Sequence, residues 1–234
     1  MKGYSQVQGI DYNNTYAPVA RLLSLRTILA IATHNDWDIK VFDFHSAFLN
    51  GKLDQDEDIY MELPPGYKTN RKYKHPIAKL LVALYRSKQG ALKWYLKLCR
   101  TLHTLKLTRT ESDWGVFYLH IGRNILILAS HIDDCTLTSS SLSLIKVFKE
   151  EIKAQYKISD LGPINWLLGM KVMHDRDACT IVLSQTTYVD AILTKYNFSD
   201  LKLLSIPMDP NIQLLHNQAP SLPTKAAWMK HIPY

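Results

Sequence analysis

Two adjacent aspartates, Asp133 and Asp134, follow an almost unbroken apolar run over residues 125–132. Such a run is typical of a buried strand, and a second short β-prone run over 135–138 follows directly. The pattern therefore predicts a hairpin with both carboxylates at its tip. Adjacent anions at the end of a buried strand repel each other and are costly to desolvate unless a cation is held there. This spacing suggests Mg²⁺, which is usually bound by one or two carboxylates plus substrate phosphates.

A third carboxylate, Asp43, lies in the segment 37–44, whose alternating pattern predicts a strand. The alternation puts Asp43 on the same face as two aliphatic residues, and a carboxylate in line with a buried face needs a partner. For Asp133 and Asp134 the alternative is an Asp-rich turn without a chemical role, since Asp is a favoured turn residue. Both interpretations stay open at this point.

The elements that would position these residues follow from hydrophobic periodicity. Helical spacing predicts four helices: one capped by Ser24 and ending near Asn35, one from about Gln89, one over 141–156 and one over 187–196. Further strands are expected over 166–172 and 180–183, and the glycine within 166–172 suggests a close approach by another group. The sequence 160–163 predicts a turn. Strands and helices of mixed order indicate an α+β fold in which one antiparallel sheet carries all three aspartates.

Composition excludes several classes of protein. With 234 residues, of which 47% are hydrophobic and 10% aromatic, the chain can form a sizeable globular core. Its longest apolar runs are far shorter than a membrane span and its first residues carry no signal-peptide pattern, so we expect a soluble intracellular protein without a membrane partner. Three scattered cysteines, none in a CxxC pair, indicate neither a disulfide framework nor a zinc site.

The net charge of +7 is concentrated in one segment. Twelve of the 28 Lys and Arg residues lie between Leu63 and Thr110, where there is no Asp or Glu, and five Tyr and Trp residues are interleaved with them. Basic residues combined with aromatics contact phosphates and stack on bases, which favours a nucleic acid as partner. The alternative is a helix with a solvated basic face.

Several short motifs occur in a fixed order and are together far more specific than any one alone. They are Asp43-Phe-His-Ser-Ala-Phe-Leu-Asn-Gly51, Ile59-Tyr-Met-Glu-Leu-Pro-Pro-Gly66, Leu84-Tyr85, Lys88-Gln89, Trp94-Tyr95, Ile132-Asp-Asp134, Asp160-Leu-Gly162, Leu168-Gly169 and Ser184-Gln185. In this order they resemble the reverse transcriptase domain of Ty1/copia-type LTR retrotransposon polyproteins. The resemblance extends to about Pro207.

The resemblance implies a fold and a set of catalytic residues. The fold would be a reverse transcriptase fingers-palm module over 1–207, with an antiparallel palm sheet flanked by helices, followed by a loosely structured tail over 208–234. The family's metal aspartates fall on Asp43, Asp133 and Asp134, which would hold two Mg²⁺ ions, with Mn²⁺ as an alternative. These ions would activate the primer 3′-hydroxyl and stabilise the leaving pyrophosphate.

The resemblance also implies residues that bind substrates. Phe48 matches the aromatic residue that packs against the sugar of the incoming nucleotide and excludes a 2′-hydroxyl, although an ordinary core aromatic is the alternative. Lys88, Gln89 and Gly90 align with the segment that lies against the nascent base pair. The stretch 166–172, which contains Trp166 and Gly169, resembles the hairpin that grips the primer terminus.

The chain also departs from the family pattern. Arg86-Ser87 replaces the usual Gly-Leu, and His131 stands where a tyrosine usually precedes the paired aspartates, so the contact to the primer end is expected to differ. Met1 begins inside a family motif and Pro233-Tyr234 stops where the family domain continues. We therefore expect a cut-out of the fingers and palm, truncated at its N-terminus, from a longer polyprotein.

Two hypotheses for function remain. The first is an RNA-directed DNA polymerase that acts on an RNA or DNA template-primer with deoxynucleoside triphosphates. The second is a catalytically inactive remnant of a retroelement that at most binds nucleic acid through the basic segment. The resemblance implies a cytoplasmic particle or the nucleus as the compartment.

Overall fold

The computed structural model describes residues 3–54, 57–64, 66–67, 77–200, 211, 213, 215 and 219–230. The α-helices in this part of the chain are α1 (Leu22–His34), α2 (Gly90–Thr104), α3 (Leu142–Lys153), α4 (Thr186–Lys195) and α5 (Pro223–Met229). The strands are β1 (Asp38–Phe44), β2 (Tyr60–Glu62), β3 (Ile77–Lys79), β4 (Thr108–Arg109), β5 (Val116–Ile121), β6 (Asn124–His131), β7 (Asp134–Ser139), β8 (Ile158–Pro163), β9 (Trp166–Leu167), β10 (Met170–Asp175) and β11 (Thr180–Ser184). The fold is mixed α+β, as the sequence predicts.

Six strands form an antiparallel sheet in the order β4-β5-β6-β7-β1-β8. The apolar run that predicts a buried strand forms β6, and the following β-prone run forms β7. In the centre of the sheet β1 pairs with β7 on one side and with β8 on the other. Both faces of β1 are covered, because Ile39 and Phe42, which point in opposite directions, are both buried.

Helices α2 and α3 pack against this sheet. Trp94, Leu98 and Leu102 of α2 have the apolar spacing expected from the sequence and are almost fully buried. They share one hydrophobic core with residues of α3 and of the sheet strands, among them Phe42, Phe44, Phe117, Leu126, Leu128, Leu137, Ile145, Phe148 and Ile152. The core therefore holds the strands that carry the three aspartates against two helices.

Three local predictions were wrong. Ser24 is not the N-cap of α1, because the helix begins at Leu22 and the Ser24 hydroxyl donates to the distant Asp113. The segment 160–163 is part of edge strand β8 rather than a turn, since its Gly and Pro are accommodated next to a register shift in the pairing with β1. The segment 166–172 is no single strand: β9 and β10 form a hairpin whose Gly169 supplies a positive φ of 79°, not a close approach.

The chain forms two compact units. The first comprises Met1–Asn165 and Val172–Val182, and the second comprises Trp166–Lys171 and Leu183–Tyr234. The boundary at residue 207 stays a prediction, and helix α5 lies within the segment 208–234. Among the described residues no helix has the length and apolar character needed to cross a membrane.

Candidate active site

The sheet register brings the three aspartates to one place. Asp43, near the end of β1, is the Cα partner of Asp134, the first residue of β7. Asp133 occupies the tight turn between β6 and β7, and its carbonyl oxygen accepts a hydrogen bond from the amide of Phe44 at 3.0 Å. Residues about 90 positions apart in sequence are thus joined at the ends of neighbouring inner strands of the sheet.

Contacts from α2 hold the turn in an unusual conformation. Ile132 has a φ of 60°, a left-handed value that is rare for a β-branched residue and unfavourable unless its surroundings enforce it. The indole Nε1 of Trp94 donates to the Ile132 carbonyl oxygen at 2.9 Å. The Trp94 ring also packs edge-on against Phe44, with centroids 4.9 Å apart. The position of Asp133 therefore depends on the buried core as well as on the hairpin.

The electrostatics of the site favour a bound cation. Burial, and then the charges of Asp134 and Asp133, raise the pKa of Asp43 above its ordinary value. Burial also raises the pKa of Asp133, a hydrogen bond from Tyr85 opposes this effect, and the charge of Asp134 adds to it. A positive charge beside these carboxylates would relieve their repulsion and favour their ionised forms.

One carboxylate oxygen of the site lacks a hydrogen-bond partner within the part of the chain that the structure describes. Asp133 Oδ1 is buried and accepts no hydrogen bond from any residue that the structure describes. Within the same residues no set of three or more His, Cys, Asp or Glu side chains is arranged to hold a metal ion. A divalent ion that takes one or two carboxylates from the protein and its other ligands from phosphates and water needs no such set. The orphaned oxygen and the facing carboxylates fit an ion of this kind.

Tyr85 is a site residue to which the sequence assigned no role. Its hydroxyl donates to Asp133 Oδ2 at 3.0 Å, and its ring lies 4.5 Å from the ring of Phe48. Burial and the hydrogen bond to Asp133 raise the pKa of Tyr85. In the sequence it stands in the Leu84-Tyr85 motif and among the aromatics of the basic segment, and neither feature indicates a contact with the aspartates.

Gln89 is buried and ties two segments together. Its amide oxygen accepts from Gln6 Nε2 at 3.1 Å, and its own Nε2 donates to the Asp11 carbonyl oxygen at 3.2 Å. The neighbouring Lys88 donates its backbone amide to Gln6 Oε1 at 2.9 Å and exposes its side chain. Gly90 is buried, and a Cβ there would lie 2.7 Å from Ser87 Oγ. Only Lys88 of this trio thus presents its side chain to solvent.

Comparison with known protein families identifies the family of the chain that carries these aspartates. The sequence profile described as "Reverse transcriptase (RNA-dependent DNA polymerase)" matches residues 1–210. The chain belongs to the reverse transcriptase family. The family includes the polymerases that the motifs resemble, so the three converging aspartates lie in a reverse transcriptase domain.

Curated relatives identify the type of element. This reverse transcriptase domain is 32% identical over 235 residues to the "Retrovirus-related Pol polyprotein from transposon TNT 1-94" of Nicotiana tabacum, a match that covers 100% of the chain and 18% of the tobacco protein. It is 30% identical over 213 residues to the corresponding RE1 polyprotein of Arabidopsis thaliana, covering 91% of the chain and 14% of that protein. The RE2 polyprotein of the same plant is 29% identical over 222 residues, covering 95% of the chain and 15% of the polyprotein. The domain is therefore of the Ty1/copia type and spans less than a fifth of these relatives.

Two predicted residues of the reverse transcriptase domain belong to the second compact unit. Trp166 and Gly169 lie in the β9-β10 hairpin, where about half of the Trp166 side chain is exposed. Their place relative to the aspartates stays a prediction. The hairpin itself is the structure that the family resemblance implies for this stretch.

Two lysines of the basic segment pair with carboxylates in the part of the chain that the structure describes. Lys93 binds Asp54 and Glu57 at 2.5 and 2.8 Å, and Lys79 pairs with Asp58. Other residues of the segment, Lys68, Arg71, Lys72 and Lys74, lie outside the described residues. The segment is therefore not a uniform solvated surface in the part that the structure describes.

Proposed function

We propose that this reverse transcriptase domain carries the polymerase site of a retrotransposon, where a primer 3′-oxygen attacks the α-phosphorus of a deoxynucleoside triphosphate and pyrophosphate leaves. The observation that supports it most is that Asp43 and Asp134 are partners across β1 and β7, next to Asp133, whose buried Oδ1 has no hydrogen-bond partner among the described residues. The six-stranded sheet would then be the palm, and the smaller pair β2-β3 would belong to the fingers.

The three aspartates would hold two Mg²⁺ ions, or Mn²⁺ in their place. Bound ions of this kind lower the pKa of an attacking hydroxyl and stabilise the charge on the leaving group. Phe48 follows β1 directly on the 3₁₀ helix Ala47–Asn50 and would exclude a 2′-hydroxyl from the nucleotide sugar. The exposed Lys88 would contact a phosphate, while the buried Gln89 and Gly90 would shape the wall beside the base pair. Trp166 and Gly169 would support the primer end.

Primer extension tests this proposal directly. The purified chain is given a DNA primer on an RNA template with Mg²⁺ and deoxynucleotides, beside Asp43→Asn and Asp133→Asn. The matched control is Asp177→Asn, which removes the same charge from an exposed turn far along the chain from the aspartates. We expect extension by the parent and the control and none by the two site variants. Equal extension by Asp133→Asn and the parent would refute the assignment.

A second candidate is a nucleic-acid-binding chain without catalysis. It is favoured by the basic segment between Leu63 and Thr110, which holds twelve Lys and Arg residues and no Asp or Glu. In that case neither the parent nor any variant extends the primer, but all bind the duplex with an affinity that falls steeply as salt increases. The same preparation of protein therefore distinguishes the two candidates.

A further inference from the structure

Tyr85 reaches the aspartate site from a distant part of the chain. It lies 48 residues before Asp133, in the connection that leads to α2, and is partly exposed. Its phenol contacts Asp133 Oδ2 through the hydroxyl and Phe48 through the ring, and the hydroxyl also has a hydrogen-bond interaction with the Ala47 backbone. A single side chain thus contacts both a carboxylate that would bind metal and the aromatic residue that would face the nucleotide sugar.

The two carboxylate oxygens of Asp133 differ in their hydrogen bonding. Oδ2 accepts the Tyr85 hydrogen bond at 3.0 Å, whereas Oδ1 is buried without a partner among the described residues. Because the hydrogen bond to Oδ2 restricts rotation of the Asp133 carboxylate, it also fixes the direction in which Oδ1 points. Outer hydrogen bonds of this kind orient metal ligands, and losing one typically weakens metal affinity 10- to 100-fold.

The ring contact fixes the tyrosine itself. The rings of Tyr85 and Phe48 are tilted by 48° with centroids 4.5 Å apart, a favourable aromatic separation. Because Tyr85 is partly exposed, we expect loss of the Phe48 ring to weaken the hold on its side chain beside Asp133. Phe48 therefore acts on the carboxylate through Tyr85, although it has no atom that binds a metal.

We propose that Tyr85 is a positioning residue: its hydroxyl orients the Asp133 carboxylate so that Oδ1 is presented to a divalent cation, and Phe48 holds the tyrosine in place. This inference rests on the proposed function for the identity of the cation. It adds a sequence of contacts among three residues: Phe48 holds Tyr85, and Tyr85 fixes the orientation of the Asp133 carboxylate.

The test measures Mn²⁺ binding to the full chain by electron paramagnetic resonance, without primer or nucleotide. We expect Tyr85→Phe, which keeps the ring, to raise the dissociation constant about tenfold. Phe48→Ala should raise it in the same direction, and the double variant should raise it no further than the larger single change, since both act on one contact. The control Tyr95→Phe removes a hydroxyl that donates to the Trp114 carbonyl oxygen and should leave binding unchanged.

Asp133→Asn separates the two possible failures. If Asp133→Asn binds Mn²⁺ as the parent does, the proposed metal site is wrong. If Asp133→Asn binds weakly while Tyr85→Phe binds as the parent or more tightly, the site stands and the positioning role of Tyr85 is overturned. Tyr85→Phe gives this answer even if Phe48→Ala, which opens a cavity, does not fold, and far-UV circular dichroism identifies that case.

Discussion

Replacing Asp113 should destabilise the fold that supports the active site. Asp113 is 5% exposed, in the loop before β5, and its Oδ2 accepts hydrogen bonds from the Arg21 amide at 2.9 Å and the Ser24 hydroxyl at 2.5 Å. Its Oδ1 accepts from the Gly115 amide at 2.9 Å. The carboxylate therefore joins the start of α1 to a loop 92 residues away in sequence.

The expected magnitude follows from these contacts. Hydrogen bonds to a charged group contribute roughly 1.5–3 kcal/mol each, and the burial of the carboxylate offsets part of their sum. Asp113→Ala leaves three donors without their acceptor, so we expect the free energy of unfolding to fall by about 3–4 kcal/mol. Asp113→Asn keeps the size and one oxygen but loses the charge, and we expect a loss of about 2 kcal/mol.

The effect should depend on pH in one direction. Burial raises the pKa of Asp113, but the hydrogen bonds from Ser24, Arg21 and Gly115 outweigh it and hold the pKa below its ordinary value. The stabilisation is therefore complete above the unfolded-state pKa of about 3.9 and is lost as the pH falls through the lower folded-state value. The difference between the parent and Asp113→Asn should be constant near neutral pH and shrink in strong acid.

Urea unfolding followed by circular dichroism, at pH 7 and in acid, measures both effects. Glu111→Gln is the matched control, because it removes a charge from an exposed residue of the same loop and should leave the midpoint unchanged. Equal urea midpoints at pH 7 for the parent and Asp113→Asn would refute the stabilising role of the Asp113 carboxylate.

Three further substitutions test other parts of the fold by thermal or urea unfolding. Gly115→Ala would place a Cβ 2.1 Å from the Ala20 amide nitrogen, a backbone atom, so we expect a loss of about 2–3 kcal/mol from overpacking, and an unchanged stability would contradict the close approach. Arg86 has a φ of 70°, a left-handed value that strains any residue with a Cβ. Arg86→Gly should relieve this strain, and after the entropic cost of glycine is subtracted we expect the free energy of unfolding to rise by about 0.5–1 kcal/mol. A lower unfolding midpoint would argue against strain at this position. Lys149 is buried, and its Nζ lies 2.6 Å from Asp160 Oδ1. Lys149→Met should therefore lower the free energy of unfolding by about 1–2 kcal/mol. If loss of this ion pair is the cause, adding Asp160→Asn should restore part of that free energy.

Local pattern predicted much of the scaffold. The apolar spacing of Trp94, Leu98 and Leu102 identified α2, and the runs around Asp133 identified the hairpin with its acidic turn. Where prediction failed, the deciding partner lay elsewhere in the chain. The Gly-Pro signal at 160–163 favours a turn locally, but pairing with β1 makes it a strand. Ser24 has the residue type of an N-cap, but α1 begins at Leu22 and the Ser24 hydroxyl donates to Asp113 instead.

The sequence by itself determined the residue types at the site, the family and the order of most elements, because periodicity and motif order are properties of short segments. Only the tertiary structure decided that Asp43 faces Asp134, and that Tyr85 contacts Asp133. The physical reason is that these contacts depend on strand register and on the packing of α2 against the sheet. Register and packing sum many weak preferences over the whole chain, and no local window contains them.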